Sequence, residues 1–216
     1  MRPLVKICGV RRLEDAMLAA QLGASAVGFV FWPGSPRFID PFRARRVVAS
    51  LPPLLATVGV FVNDPAERAT SIARLLSLSA IQLHGDEDPE PVLRMGYRVI
   101  KAVAVTTGLT PESIAGIPGG VTILLDAHDP LRRGGTGQTV DWSACAPIAA
   151  ARRTILSGGL TPANVRQAVE QVRPYAIDVS SGVESAPGVK DPDKLKALFH
   201  ALDGLDAAAA PAVAVP

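Results

Sequence analysis

Cysteine is scarce: the chain has two, Cys8 and Cys145, among 216 residues. Two thiols so far apart in sequence do not make a disulfide scaffold, and no apolar leader opens the chain at Met1-Arg2-Pro3. The expected setting is therefore reducing and cytoplasmic. Long apolar runs are missing as well. Each is interrupted by Gly, Pro or a charge within about ten positions, short of the roughly 18 residues a bilayer span needs, so no membrane partner is expected. Charge of one sign is lacking: Lys and Arg number 22 against 20 Asp and Glu, a formal +2. That balance argues against nucleic acid, whose phosphates demand a concentrated basic face. The 3 histidines lie far apart and no His/Cys/Asp/Glu cluster has ligand spacing, so no metal is expected.

What the chain does have is repetition. Short apolar, largely β-branched runs fall at 4–8, 26–31, 56–62, 80–84, 98–105, 121–126, 153–157 and 176–180. Helical patterns follow at 13–22, 41–51, 65–77, 89–95, 111–117, 142–152, 162–172 and 192–205, several opening with Asp-Pro or Thr-Pro as cap and first turn. Near-continuous apolar strands alternating with amphipathic helices require a parallel sheet covered by helices. An open doubly wound sheet would carry its glycine-rich loop after the first strand. Here Gly9 stands alone, and the glycines Gly158, Gly159 and Gly182 follow strands seven and eight, where barrels build phosphate sites. The pattern predicts an α/β fold, a single (β/α)₈ TIM barrel over 1–205, with an Ala/Pro-rich disordered tail over 206–216.

Barrel enzymes work at the C-terminal rim, so polar residues that end strands are the candidates. They are Lys6 and Cys8, Gln82 and His84, Lys101, Asp126, and Asp178 with Ser180. Period-two alternation places Lys6 with Cys8, Gln82 with His84, and Asp178 with Ser180 on common faces. Cys8 reads either as a nucleophilic or basic thiol or as a small packing residue. Asp126, closing an apolar strand, reads as a carboxyl able to hold a proton near neutrality or as a cap for the next turn. His84 reads first as a simple rim hydrogen bonder, and Cys145 as core.

Ser157-Gly158-Gly159-Leu160 and Ser180-Ser181-Gly182 present backbone N–H groups that can cradle phosphate, or are turns that simply need glycine. The turn Ser35-Pro36-Arg37 offers one guanidinium able to grip a carboxylate in a bidentate pair. The segment 132–137 is basic and glycine-rich, suited to a lid or to a solvated loop.

Taken together, Lys6-Ile7-Cys8-Gly9, Gly28-Phe29-Val30-Phe31, Ser35-Pro36-Arg37, Gly59-Val60-Phe61-Val62-Asn63 and Gln82-Leu83-His84-Gly85 resemble the phosphoribosylanthranilate isomerases of tryptophan biosynthesis. So do Leu125-Asp126-Ala127, Gly134-Gly135-Thr136-Gly137, Ser157-Gly158-Gly159-Leu160, Asp178-Val179-Ser180-Ser181-Gly182-Val183-Glu184 and Pro187-Gly188-Val189-Lys190-Asp191. The resemblance spans roughly residues 3–200. Val140 stands where the family often has Phe, and Ser157 where Ala is frequent.

The resemblance implies an Amadori rearrangement of N-(5-phosphoribosyl)anthranilate to 1-(2-carboxyphenylamino)-1-deoxyribulose 5-phosphate, with no cofactor. It makes Asp126 the general acid and Cys8 the general base. The substrate-binding set is Arg37 for the anthranilate carboxylate and Gly158, Gly159, Ser181 and Gly182 for the phosphate, with Gln82, His84, Asp178 and Ser180 beside them. Lys6 is expected to favour the thiolate, and kcat/KM to follow a bell-shaped pH profile. The partner is then a small phosphoribosyl substrate, and the assembly a monomer or homodimer. Two other readings stay open: a histidine-pathway or bifunctional aminoaldose isomerase, which generally uses two aspartates, and a noncatalytic phosphate-binding barrel.

Overall fold

The computed structural model describes residues 3–127 and 140–205. The 132–137 segment and the 206–216 tail lie outside the described residues.

Eight parallel strands close in chain order: β1 (Leu4–Ile7), β2 (Ala26–Val30), β3 (Ala56–Phe61), β4 (Ala80–Leu83), β5 (Val99–Val105), β6 (Thr122–Ala127), β7 (Thr154–Leu156) and β8 (Ala176–Val179). Closure is made by β1, which pairs with β2 on one side (Ile7 with Val27) and β8 on the other (Ile7 with Val179). A closed barrel leaves no edge strand to protect. The helices α1 (Leu13–Leu22), α2 (Pro41–Val48), α3 (Ala66–Leu76), α4 (Glu90–Arg94), α5 (Trp142–Ala151), α6 (Val165–Val172) and α7 (Pro192–Ala201) cover its outside. A small antiparallel hairpin, β9 (Glu184–Ala186) with β10 (Val189–Lys190), follows β8.

The helix expected at 111–117 is a single 3₁₀ turn, Pro111–Ile114. Gly116, Pro118, Gly119 and Gly120 leave too little helix-forming chain to propagate it. The stretch expected at 41–51 ends at Val48, because Pro52 and Pro53 draw the preceding residue out of the α region. Asp40 and Asp191 cap α2 and α7 through their side chains as expected. Thr161 does not cap a helix at Pro162. Its N–H donates to Asn164 Oδ1 at 2.8 Å, the Asn164 amide donates to the Gly159 carbonyl at 3.0 Å, and α6 starts only at Val165.

The main core lies between strands and helices and includes Val5, Ile7, Val27, Phe29, Phe61, Ile81 and Leu125 with the inner faces of the helices. The lumen is filled by the alternate strand residues. At its closed end Leu124, Ile155 and Ala176 pack with Ile100 and Ala102. At its mouth Cys8, Val30 and Val60 pack with Trp32. Between these clusters, where a barrel ordinarily stacks aliphatic side chains, a lysine and an aspartate stand instead.

Candidate active site

Lys6 Nζ lies 2.8 Å from Asp178 Oδ1, with both side chains almost wholly buried (4% and 6% exposed). The register that pairs Lys6 with Asp178 on β1 and β8 places the two opposite each other in the lumen. Burial works to lower the Lys6 pKa, but the Asp178 charge, with Cys8 and the hydrogen bonds to both, outweighs it, and Lys6 is raised above its ordinary value. Next up the strand, Cys8 faces the same side. Its room is provided by Gly28 on the neighbouring strand: a Cβ there would sit 2.8 Å from Cys8 Sγ and 3.2 Å from Lys6 Nζ.

Cys8 opens into a cavity of about 350 Å³ at the barrel mouth, lined also by Arg37, Gln82, His84, Asp126, Ser157, Asp178 and Ser180. Across it, β4 and β6 supply a hydrogen-bonded chain. Gln82 Nε2 meets His84 Nδ1 at 2.9 Å, and His84 Nε2 lies 3.2 Å from Asp126 Oδ2. With the amide donating, Nδ1 accepts, so the imidazole proton sits on Nε2 and points at the carboxylate. The other Asp126 oxygen accepts from the Ala127 N–H at 2.9 Å. Gln82 Oε1 is buried with no partner among the described residues.

The Arg37 turn is tied down locally, its N–H donating to Ser35 Oγ at 3.1 Å. The guanidinium is fixed by Glu184 on β9, with Nε to Oε1 at 2.9 Å and Nη2 to Oε2 at 2.8 Å. Gly9, at φ +73°, passes beneath it, and a Cβ there would come within 2.5 Å of Arg37 Cδ. Glu184 also accepts from Lys190 Nζ at 2.8 Å, and the same ammonium donates to the carbonyls of Cys8 at 2.6 Å and Ser180 at 3.1 Å.

A family model for N-(5'-phosphoribosyl)anthranilate isomerase matches residues 5–201. The Thermotoga maritima N-(5'-phosphoribosyl)anthranilate isomerase is 47% identical over 204 residues, covering 93% of this chain and 98% of the relative. Among solved structures, the Thermus thermophilus phosphoribosyl anthranilate isomerase superposes with a TM-score of 0.84 at 44% identity, covering 92% of this chain and 98% of that one. Another phosphoribosyl anthranilate isomerase, in complex with reduced 1-(o-carboxyphenylamino)-1-deoxyribulose 5-phosphate, gives 0.83 at 43% identity, covering 94% of this chain and all of the other (100%). The chain belongs to the N-(5'-phosphoribosyl)anthranilate isomerase family.

The structure gathers Cys8, Arg37, Gln82, His84, Asp126, Asp178 and Ser180 around one cavity. Gly158, Gly159, Ser181 and Gly182 are not among the lining residues, but each of their loops continues from one that is, Ser157 or Ser180. The two loops press together, since a Cβ on Gly182 would fall 1.9 Å from the Leu160 carbonyl oxygen. Gly158 and Gly159 have φ of +85° and +63°, which only glycine adopts without strain. The late start of α6 leaves loop amides, rather than a helix terminus directly after Gly159, to meet an anion. Val140 packs on Gly158, whose Cβ would lie 2.7 Å from Val140 Cγ1.

Two expectations are corrected. Lys101 does not join the site: it has the opposite parity from lumen-facing Ile100 and Ala102, and its Nζ donates to the Gly85 carbonyl at 2.6 Å. Lys6 does not carry Cys8 to a lowered pKa. Burial and then the Asp178 charge push the thiol up, and Lys6 and Lys190 oppose them without overcoming them. Cys145 is core, buried in α5, with burial pushing its pKa up to about 12. Gly28, Glu184 and Lys190 stand in the strings that carry the resemblance, but sequence reasoning gave them no role. A glycine inside an apolar strand signals a close approach and points to Gly28. Glu184 and Lys190 carry no such mark, because their partners lie on β1 and in the loop after β2. Among the described residues, no three or more His, Cys, Asp or Glu side chains gather to hold a metal ion.

Proposed function

We propose that this chain rearranges N-(5'-phosphoribosyl)anthranilate to 1-(2-carboxyphenylamino)-1-deoxyribulose 5-phosphate in tryptophan biosynthesis, with Asp126 as general acid and Cys8 as general base. The observation that carries the reading is the single cavity lined by both groups, with Arg37 in its wall and the glycine loops after β7 and β8 continuing from its lining serines. Family membership supports the isomerase activity and its substrate; the roles are those the resemblance implies, and the placement of both groups on one cavity supports them.

Asp126 gives its proton to the furanose ring oxygen, the bond from that oxygen to C1′ breaks, and the anthranilate nitrogen lone pair forms a protonated Schiff base at C1′. Cys8 as thiolate takes the C2′ proton, and the electrons move to give an enolamine. Transfer of the 2′-hydroxyl proton to solvent and protonation at C1′ give the ketone. Only protons move, so the rearrangement calls for no cofactor. Arg37 holds the carboxylate through the guanidinium edge that Glu184 does not occupy. The amides around Gly158, Gly159, Ser181 and Gly182 hold the phosphate. His84, its proton directed to Asp126 by Gln82, keeps the acid in place, and Gln82 Oε1 is an acceptor for a ribose hydroxyl. Anchoring both ends stretches the ribose between acid and base, and such positioning lowers a barrier by several kcal/mol.

No described helix is long and apolar enough to cross a membrane; the free thiols Cys8 and Cys145 fit the reducing, cytoplasmic setting expected for an enzyme of a small phosphoribosyl substrate. A dimeric Thermotoga maritima relative is known; for this chain the expectation is a monomer or homodimer, read by analytical ultracentrifugation. The chemistry is tested by loss of anthranilate-conjugate fluorescence with substrate generated in place. Wild type turns over, while Cys8→Ser and Asp126→Asn each lose at least about a hundredfold. Silence of all three proteins while a phosphorylated ligand still binds sinks the isomerase reading.

A further inference from the structure

The buried Glu184–Lys190 pair has no part in the chemistry above, yet it touches both ends of it. Lys190 is 1% exposed and Glu184 7% exposed, which is unusual company for ionised groups unless they hold something in place. All three Lys190 N–H donors are used, on Glu184 Oε1, the Cys8 carbonyl and the Ser180 carbonyl. Ser180 Oγ donates to the same Cys8 carbonyl at 3.1 Å. The backbone of the proposed base is therefore pinned from the hairpin and from β8 at once. Glu184 accepts from Arg37, from Lys190 and from the Gly188 N–H at 3.2 Å, so it joins the carboxylate anchor to the clamp on Cys8. It takes the Nε/Nη2 edge of Arg37, and the Nη1/Nη2 edge is left out of the pair. Two cations, Arg37 and Lys190, against one anion, Glu184, leave the cluster one positive charge, which a single substrate carboxylate neutralises.

From this geometry we infer that Glu184 and Lys190 form one positioning unit. Glu184 sets the Arg37 guanidinium so that its outer edge receives the anthranilate carboxylate, and Lys190 fixes the Cys8 backbone and places its ammonium beside the thiol. Burial lowers the Lys190 pKa, and Glu184 opposes the shift. The inference rests on the reading of Cys8 as base and Arg37 as anchor. The charged groups around Cys8 are Lys6 on its own strand, Asp178 from β8 and Lys190 from β10, with Arg37, His84 and Asp126 in the cavity wall. Lys190 is one of the two charges that hold the thiol down against its burial.

A purely architectural ion pair would change stability without changing how Cys8 titrates. The test alkylates the full-length protein with iodoacetamide across pH, reading Cys8 by mass spectrometry, since Cys145 is buried and stays protonated. Lys190→Met is expected to slow Cys8 alkylation at pH 7.5 by about tenfold, to move the alkaline limb of kcat/KM upward, and to be rescued by Lys190→Arg. Lys190→Gln, which keeps a donor but no charge, gives the same result where the methionine variant does not fold. Glu184→Gln, which retains the lysine, is expected to raise KM about tenfold with kcat changed less than threefold, as a loosened Arg37 requires. A folded neutral variant at 190 with unchanged alkylation, or a Glu184→Gln enzyme with unchanged KM, overturns the inference. A wild type that alkylates as described but does not turn over removes the isomerase reading alone, because alkylation needs no substrate.

Discussion

Replacing Asp178 by asparagine removes one charge from the ion pair inside the lumen and leaves the other with nothing to answer it. The wild-type pair is nearly solvent-free, 4% and 6% exposed, with 2.8 Å between charged atoms. Breaking a buried pair by losing one partner costs about 3–5 kcal/mol, because an uncompensated ammonium stays in a low-dielectric site. Urea unfolding followed by far-ultraviolet circular dichroism at pH 7 should therefore lose about 1–1.7 M in midpoint, taking a slope of about 3 kcal/mol per M. The pH dependence sharpens the test. In the wild type the folded Lys6 pKa lies above its ordinary 10.5, so its stabilisation is fully present below that value and is lost only as pH rises through the higher folded pKa. In Asp178→Asn the main influence opposing burial is gone, only Cys8 still counters it, and the folded pKa is expected to fall below its ordinary value. The unfolded chain then binds more protons, and the variant's deficit shrinks as pH rises from 7 toward 10. The double variant Lys6→Met/Asp178→Leu, with two apolar side chains and no buried charge, should recover most of the loss. A single variant within about 1 kcal/mol of wild type, or a double variant as unstable as the sum of its singles, would refute the reasoning.

Gly28→Ala should cost about 1–3 kcal/mol from overpacking and about a hundredfold in kcat by displacing the base, because the new methyl carbon lies 2.8 Å from Cys8 Sγ; fluorescence turnover beside thermal unfolding measures both, and activity within threefold of wild type speaks against the placement of Cys8. The active enzyme needs Cys8 ionised and Asp126 protonated, so the falling limb of kcat/KM sits at the thiol pKa, which burial and Asp178 hold above the ordinary 9.0; a limb below that value, or one left in place in Cys8→Ser, contradicts the assignment. Gly182→Ala puts a carbon 1.9 Å from the Leu160 backbone oxygen, which cannot rotate away. It should lose the thermal stabilisation that inorganic phosphate gives the wild type, and an undiminished shift would remove the loop from the phosphate site.

The strands were readable because a parallel barrel buries both faces of each one, so apolar runs bounded by turns mark them directly. Each of the eight barrel strands begins and ends within a residue or two of its expected bounds, whereas the β9–β10 hairpin was not expected. Helix ends were read less well where local chemistry competed. Asn164 draws the chain after β7 into a closed turn before α6, and Gly116 with Pro118 stops a helix after one 3₁₀ turn. In the site, Cys8, Asp126, Asp178 and Ser180 were visible as polar residues at the ends of apolar strands. Lys101 met the same rule and faces the other way, which strand parity against Ile100 and Ala102 decides. The resemblance reached Arg37, but its pairing with Glu184 joins residues 147 positions apart, and no local pattern records it.

Taken alone, the chain of residues pointed to the architecture: eight apolar runs alternating with amphipathic helices need a helix-covered parallel sheet, and glycine turns after strands seven and eight rather than after strand one favour its closure. It also determined which side chains stand at the rim, since period-two alternation and strand ends are local facts. Electrostatics belonged to the tertiary structure. Whether Cys8 is held toward thiolate or thiol depends on burial and on Asp178, Lys6 and Lys190, which arrive from β8, β1 and the hairpin. Lys6 looked like an activator from its place two residues away, yet closure of the barrel hands its charge to Asp178. A charge acts through distance and dielectric, and folding sets both.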